Sequence, residues 1–216
     1  MTENRSRLPL AGVLAGLTFG AGLFTLFTIP GGGDVTDQQI TDFYHDGGRR
    51  ATALGLYFVL VVGSWLMTWF FTELAARLEP GAFTGFVRRM AAVGTAAVIV
   101  GGAIALAPSS VQMNSGRPFV GVAIAQTFAH AGLLVAIVGG VFSFAATTFA
   151  VCLRAPRTRA LPGWVAVSGM VVAVLLLTSF VVAPAVLLPL WVIVAGLGTR
   201  RAPAAAHGPV TAHATA

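Results

Sequence analysis

From Leu161 to Thr199 the chain runs for 39 residues without one charged side chain. As a single helix that run would reach ~58 Å at 1.5 Å per residue, nearly twice the ~30 Å hydrocarbon core of a bilayer. Pro184 and Pro189 interrupt it, and a proline disfavours helix in the residue before it. The run therefore reads as a tight hairpin of two helices, 162–181 and 185–199. Four more charge-free stretches precede it: Leu8–Gly33, Ala51–Thr72, Met90–Gly116 and the interval between Arg117 and Arg154. Each is long enough for one membrane helix, expected at 8–29, at 51–72, within 90–116 with a stop near Pro108, and within 117–154. The first lies behind Arg5 and Arg7, is too long for the apolar core of a signal peptide and has no small-residue cleavage site. The expected fold is all-α, a polytopic transmembrane helical bundle of about six spans over residues 1–201, with a disordered cytoplasmic tail at 202–216.

Composition closes off the other classes. Charged residues make up 9% of the chain and apolar ones 56%, whereas soluble domains carry about 25% charge. So little polar surface excludes an ordinary soluble enzyme and a disordered chain, and the lone Cys152 excludes a disulfide scaffold. All thirteen basic residues are arginine, giving a net charge of +6. They flank apolar runs instead of forming a basic stripe, which makes them topology signals and argues against nucleic acid as a partner. With a cytoplasmic N-terminus, Arg5, Arg7, Arg77, Arg88, Arg89, Arg154, Arg157, Arg159, Arg200 and Arg201 fall inside. Arg49, Arg50 and Arg117 fall outside. That split predicts both termini in the cytoplasm. The tail histidines His207 and His213 are too sparse for a metal-binding tract.

Ionisable residues inside spans are the default candidates for function, because buried charge is costly in lipid. Glu73 falls at the inner interface, four residues before Arg77, and His130 near the outer boundary. The bilayer midplane is left without a carboxylate, histidine or arginine, which counts against ion coupling and voltage sensing. Haem is not expected, since no second histidine faces His130 from another span. Gln126 stands one turn before His130 and could offer a ligand a donor and an acceptor beside it; the competing reading is a histidine that fixes helix packing. Ser64, Thr68, Thr95, Ser143 and Thr147 are the hydroxyls that could line a polar path for a small facilitator, although helical hydroxyls commonly bond their own backbone.

The first outer segment is the second place of interest. Asp34, Asp37, Asp42 and Asp46 fall within thirteen positions, beside His45. From Thr36 to Arg50 the pattern is amphipathic at helical period, with Ile40, Phe43 and Tyr44 on one face and Asp42, His45, Asp46 and Arg49 on the other. It predicts a short interfacial helix on lipid or on the bundle, begun near Asp37 and broken at Gly47-Gly48. Its polar face could group Asp42, His45 and Asp46 around a cation, or could be a solvated face with Asp46–Arg50 and His45–Arg49 pairs; no metal or other cofactor is expected. Gly12, Gly16 and Gly20 form a small-residue stripe, suited either to packing within the bundle or to a homodimer or membrane-protein partner. Trp65, Trp69, Trp164 and Trp191 lie mostly near span ends, as aromatic belts do. No hydrolase elbow, zinc-protease, P-loop or dinucleotide motif is present.

Phe43-Tyr44-His45-Asp46-Gly47-Gly48-Arg49-Arg50 leads into the second span, and Leu161-Pro162-Gly163-Trp164, Trp191 and Arg200-Arg201 follow later. This arrangement resembles the uncharacterised small six-span membrane proteins of high-GC bacteria, of the domain-of-unknown-function type. The resemblance implies a plasma-membrane helical bundle and brings no catalytic residues. The expected role is a non-enzymatic accessory or binding component in the lipid bilayer, taking a lipid, small hydrophobic ligand or partner at the outer leaflet. Asp42, His45, Asp46, Arg49, Gln126 and His130 are the candidate site. The alternative is a membrane-embedded enzyme acting on a lipid or isoprenoid, with His130 and Asp42 or Asp46 as its acid–base pair.

Overall fold

A computed structural model describes residues 7–30, 35–116, 118–178 and 183–199. Asp34, Arg117, Arg200, Arg201 and the tail histidines lie outside the described residues. The described elements are all helical: α1 (Arg7–Leu23), α2 (Thr25–Thr28), α3 (Asp37–His45), α4 (Gly47–Leu78), α5 (Ala82–Ser115), α6 (Val122–Leu134), α7 (Phe142–Thr158), α8 (Gly163–Thr178) and α9 (Leu187–Gly198). A π-helical segment, Val135–Val141, joins α6 to α7 as one continuous helix, and a 3₁₀ turn, Ala183–Val186, leads into α9. Three of these helices, Gly47–Leu78, Ala82–Ser115 and Val122–Thr158, are long and apolar enough to cross a membrane. Three shorter apolar helices accompany them: Leu8–Leu23, Gly163–Leu177 and Leu187–Gly198.

Side-chain register shows how these pieces assemble. Gly22 lies against Leu60, and Gly63 against Phe19, so α1 and α4 run antiparallel. Tyr57 donates to the Ile99 carbonyl (2.9 Å) and Thr95 to the Ser64 carbonyl (2.8 Å), pairing α4 with α5 in the same sense. Gly101 meets Gly132 and Ala136, and Gly139 meets Ala97, which returns the chain along α6, the π segment and α7. Trp191 donates to the Val165 carbonyl (3.0 Å), and Gly198 lies against Pro162, closing α8 and α9 into a hairpin. Finally Gly196 sits on the Pro9 carbonyl and Gly12, so the beginning of α1 and the end of α9 share one end of the bundle.

The apolar runs thus correspond to helices, but several boundaries differ from expectation. The second helix begins at Gly47 instead of 51, and ends at Leu78 instead of 72. Its start is set by Asp46, whose carboxylate accepts from the amides of Gly48 (2.8 Å) and Arg49 (3.1 Å), so the two glycines enter the helix. The third does not stop near Pro108, which lies buried inside α5. Loss of one backbone bond is tolerated where packing on both sides holds the helix, as it does through Leu106 and Ser109. The first helix is interrupted at Phe24. Of the two prolines in the last run, Pro184 lies in the 3₁₀ turn. Pro189 sits in the first turn of α9, where a missing N–H breaks no helical bond.

Small residues let the backbones close in. A β-carbon at Gly12 would lie 2.8 Å from the Gly196 Cα, and one at Gly16 would lie 2.6 Å from the Pro189 carbonyl. The Gly12-Gly16-Gly20 stripe therefore serves packing within the chain, against α9. Behind it Phe71 stacks on Phe144 and Trp191, with ring centroids 6.2 Å apart in both pairs. Trp191 is buried in this core, while Trp65, Trp69 and Trp164 are exposed.

Candidate functional site

At the end of the bundle reached by the start of α4 and the close of α5, α3 lies across the helix ends. Its own sequence starts it: Thr36 accepts from the Gln39 amide (3.3 Å), and Gln39 returns its side-chain carbonyl to the Thr36 amide (2.9 Å). This reciprocal cap places the first turn at Asp37. Ile40, Phe43 and Tyr44, the face expected to be apolar, are buried with Ala53 of α4, Leu106 of α5 and Ala125 of α6. Tyr44 stacks on Phe119, with centroids 4.7 Å apart, and meets Phe43 edge-on at 5.2 Å. The apolar face of α3 therefore rests on the bundle.

The outward face holds the predicted polar residues, in a different arrangement. The helix ends at His45, and Asp46 is extended (φ −86°, ψ 103°), so Thr36–Arg50 is two helices with a corner between them. Asp42 accepts from the Gln38 amide nitrogen (2.8 Å). His45 Nδ1 lies 2.9 Å from the Thr41 carbonyl, which can only accept, so Nδ1 carries the proton and Nε2 faces outward. Asp46 pairs with Arg49 (3.3 Å). The expected His45–Arg49 pair is lost because the corner at Asp46 separates the two helices, and the Asp46 carboxylate takes Arg49 in place of Arg50. Among the described residues no group of three or more His, Cys, Asp or Glu side chains could hold a metal ion.

His130 is exposed on α6, about 12 Å along the helix from its start. Its Nδ1 donates to the Gln126 carbonyl (2.8 Å), so the Gln126 contact runs through the backbone, and Nε2 is again left outward. Among the described residues no hydrogen bond or ion pair joins His130 or Gln126 to Asp42, His45, Asp46 or Arg49. The hydroxyls that might have lined a path bond backbone instead. Ser64 donates to Leu60, Thr95 to Ser64, Ser143 to Gly139, Thr147 to Ser143, and Thr68 bridges Ala91 and Thr95.

What sequence reasoning missed lies beneath α3. Arg50, one helical turn before Ala53, has its Nε and Nη1 buried with no hydrogen-bond partner. Ser109, one turn beyond Leu106 on the facing helix, is buried, and its Oγ has no aligned partner. Gln112, a turn further on, has its side-chain carbonyl buried and unpartnered. Ala53 and Leu106 belong to one cluster, so the antiparallel register brings the Arg50 and Ser109 positions to about the same level, with Ser109 near Tyr44. Burial pushes the Tyr44 phenol above its ordinary value, and the nearby Ser109 hydroxyl opposes that rise. A single signal was readable: two adjacent arginines facing one Asp46, only one of which that carboxylate could serve.

Comparison with known proteins supplies no analogy, since no family model, curated protein or solved structure matches the chain.

Proposed function

We propose that this chain is an integral membrane protein of the bacterial plasma membrane, crossing it six times with both termini in the cytoplasm. It acts as a non-enzymatic accessory or binding component, and its ligand or partner site is the end covered by α3, at the outer leaflet. The observation that carries this reading is the build of that end: a separately capped helix laid over the bundle, with unpartnered polar groups beneath it and a polar face above. The bundle interior supports it from the other side. The hydroxyls that could line a path are bonded to backbone, which favours a binding end over a channel.

The test is purification of the full chain from its native membrane, followed by mass spectrometry of retained lipids, small molecules and proteins. A defined companion is expected with wild type. Alanine at Asp46 and at His130 is expected to abolish its retention while the helical circular dichroism is preserved. Retention unchanged in both variants would sink the reading.

A further inference from the structure

We infer that the groups beneath α3 bind a phosphate group with a neighbouring hydroxyl, the chemistry shared by inorganic hydrogen phosphate and the glycerol-phosphate headgroup of an anionic lipid. This deepens the binding reading above and rests on it.

Arginine does not lose its charge in a protein, so a guanidinium with buried, unpartnered nitrogens needs an acceptor of opposite sign. Burying the nitrogens of an ion without one is strongly unfavourable. Among the described residues none supplies that partner. Asp46, the nearest carboxylate in sequence, is engaged by the Gly48 and Arg49 amides and by the Arg49 side chain. Asp37 and Asp42 lie on the exposed side of α3. The partner comes from outside the described residues.

The neighbouring groups narrow its chemistry. Arg50 offers bare N–H donors on Nε and Nη1, each of which can take an oxygen of an anion. Ser109 and Tyr44 add hydroxyls that can donate to a third oxygen or accept from the ligand. Gln112 presents a buried side-chain carbonyl that can accept from a hydroxyl on the ligand. A simple carboxylate has acceptors only. A phosphate with an adjacent O–H can accept from the guanidinium and donate to the amide carbonyl together. Burial under the aromatic face of Phe43, Tyr44 and Phe119 strengthens each of these bonds by excluding water.

The experiment uses the full chain in nanodiscs under three conditions. These are phosphatidylcholine alone, phosphatidylcholine with phosphatidylglycerol, and phosphatidylcholine with inorganic phosphate replacing chloride. The melting temperature of wild type is expected to rise by about 4 °C at a tenfold excess of ligand over Kd. The rise is expected to be lost in Arg50→Met and kept in Arg88→Met, which removes an exposed arginine at the opposite end. A rise with phosphatidylglycerol alone identifies the lipid headgroup as the source, and a rise with phosphate alone identifies the free anion. No rise under either condition, or an equal rise in Arg50→Met, overturns the inference. If Arg50→Met does not fold, Arg50→Lys replaces it. It keeps the charge without the fork and is expected to show a reduced rise; a full one overturns the inference. A different companion, retained in native purification through Asp46 and independent of Arg50, would overturn this inference and leave the binding reading standing.

Discussion

Arg50 and Arg154 occupy opposite ends of the bundle in opposite circumstances. Arg154, near the end of α7, pairs with Glu79 where α4 turns into α5, and its guanidinium lies 5.4 Å from the centre of the Phe83 ring. Both members of that pair remain open, with side chains 39% and 47% exposed. Arg88, Arg89, Arg157 and Arg159 are exposed at the same end. Arg50 instead has two nitrogens buried and unpartnered, at the end of the bundle on which α3 packs. The difference goes with α3. An open helix end lets each charge find a carboxylate or water, so little depends on it. A covered end turns a single unpaired charge into a demand for a ligand.

The largest effect that can break this comparison comes from uncovering Arg50. Tyr44 is fully buried and stacked on Phe119, and replacing such a ring with alanine removes about 3–5 kcal/mol of packing. Tyr44→Ala is expected to undock α3, raising amide exchange across residues 37–45 while the long helices keep their protection. Uniform loss of protection through α4 and α5 would mean that α3 is part of the core and not a cover. The phenol provides a pH handle on the same contact. Its pKa is raised above 10.0 in the folded chain, so the folded state holds that proton more tightly than the unfolded one. Its contribution is complete below pH 10 and is lost as the pH rises through the higher, folded value. Exchange in α3 is expected to increase in that alkaline range, and Tyr44→Phe is expected to remove the increase.

A smaller effect tests the corner that sends Arg50 inward. Asp46→Ala removes the cap of α4 together with the Arg49 pair and is expected to cost about 1 kcal/mol, read as a lower melting temperature. Asp46→Asn keeps an accepting oxygen for the Gly48 and Arg49 amides and is expected to recover most of that loss. If Asn is as poor as Ala, the ion pair and not the cap fixes the corner.

That corner also marks the boundary of what the sequence makes legible. The two faces of α3 follow from local periodicity: Ile40, Phe43 and Tyr44 turn inward and Asp42 and His45 outward, as 100° spacing requires. The pairing at its end does not follow. Periodicity assumes one helix, and a cap at Asp46 rotates everything after it. Ser109 and Gln112 carry no local signal, since only the α4–α5 register brings residues some sixty positions away beside Arg50. The Gly12-Gly16-Gly20 stripe is visible as spacing, but its partner, α9, is not. A second glycine seam, Gly94 and Gly101 against Gly132 and Gly140, follows no simple stripe because the π segment shifts the register. Pro108 shows the same limit: a residue that disfavours helix locally is overruled by packing on both sides.

The smallest effect is expected at the open end. Arg154→Gln removes the Glu79 pair and the contact over Phe83, yet half-exposed pairs contribute about 0–1 kcal/mol, since water and salt compete for both charges. Its melting temperature is expected to fall by no more than about 4 °C, and the difference from wild type is expected to shrink as salt is raised from 0.01 M to 0.15 M. Over that range the screening length drops from about 30 Å to about 8 Å. A large, salt-insensitive loss would place Glu79 and Arg154 in a dry environment. The two ends would then differ only in whether the chain itself provides the counter-charge, and coverage by α3 would no longer explain why Arg50 lacks one.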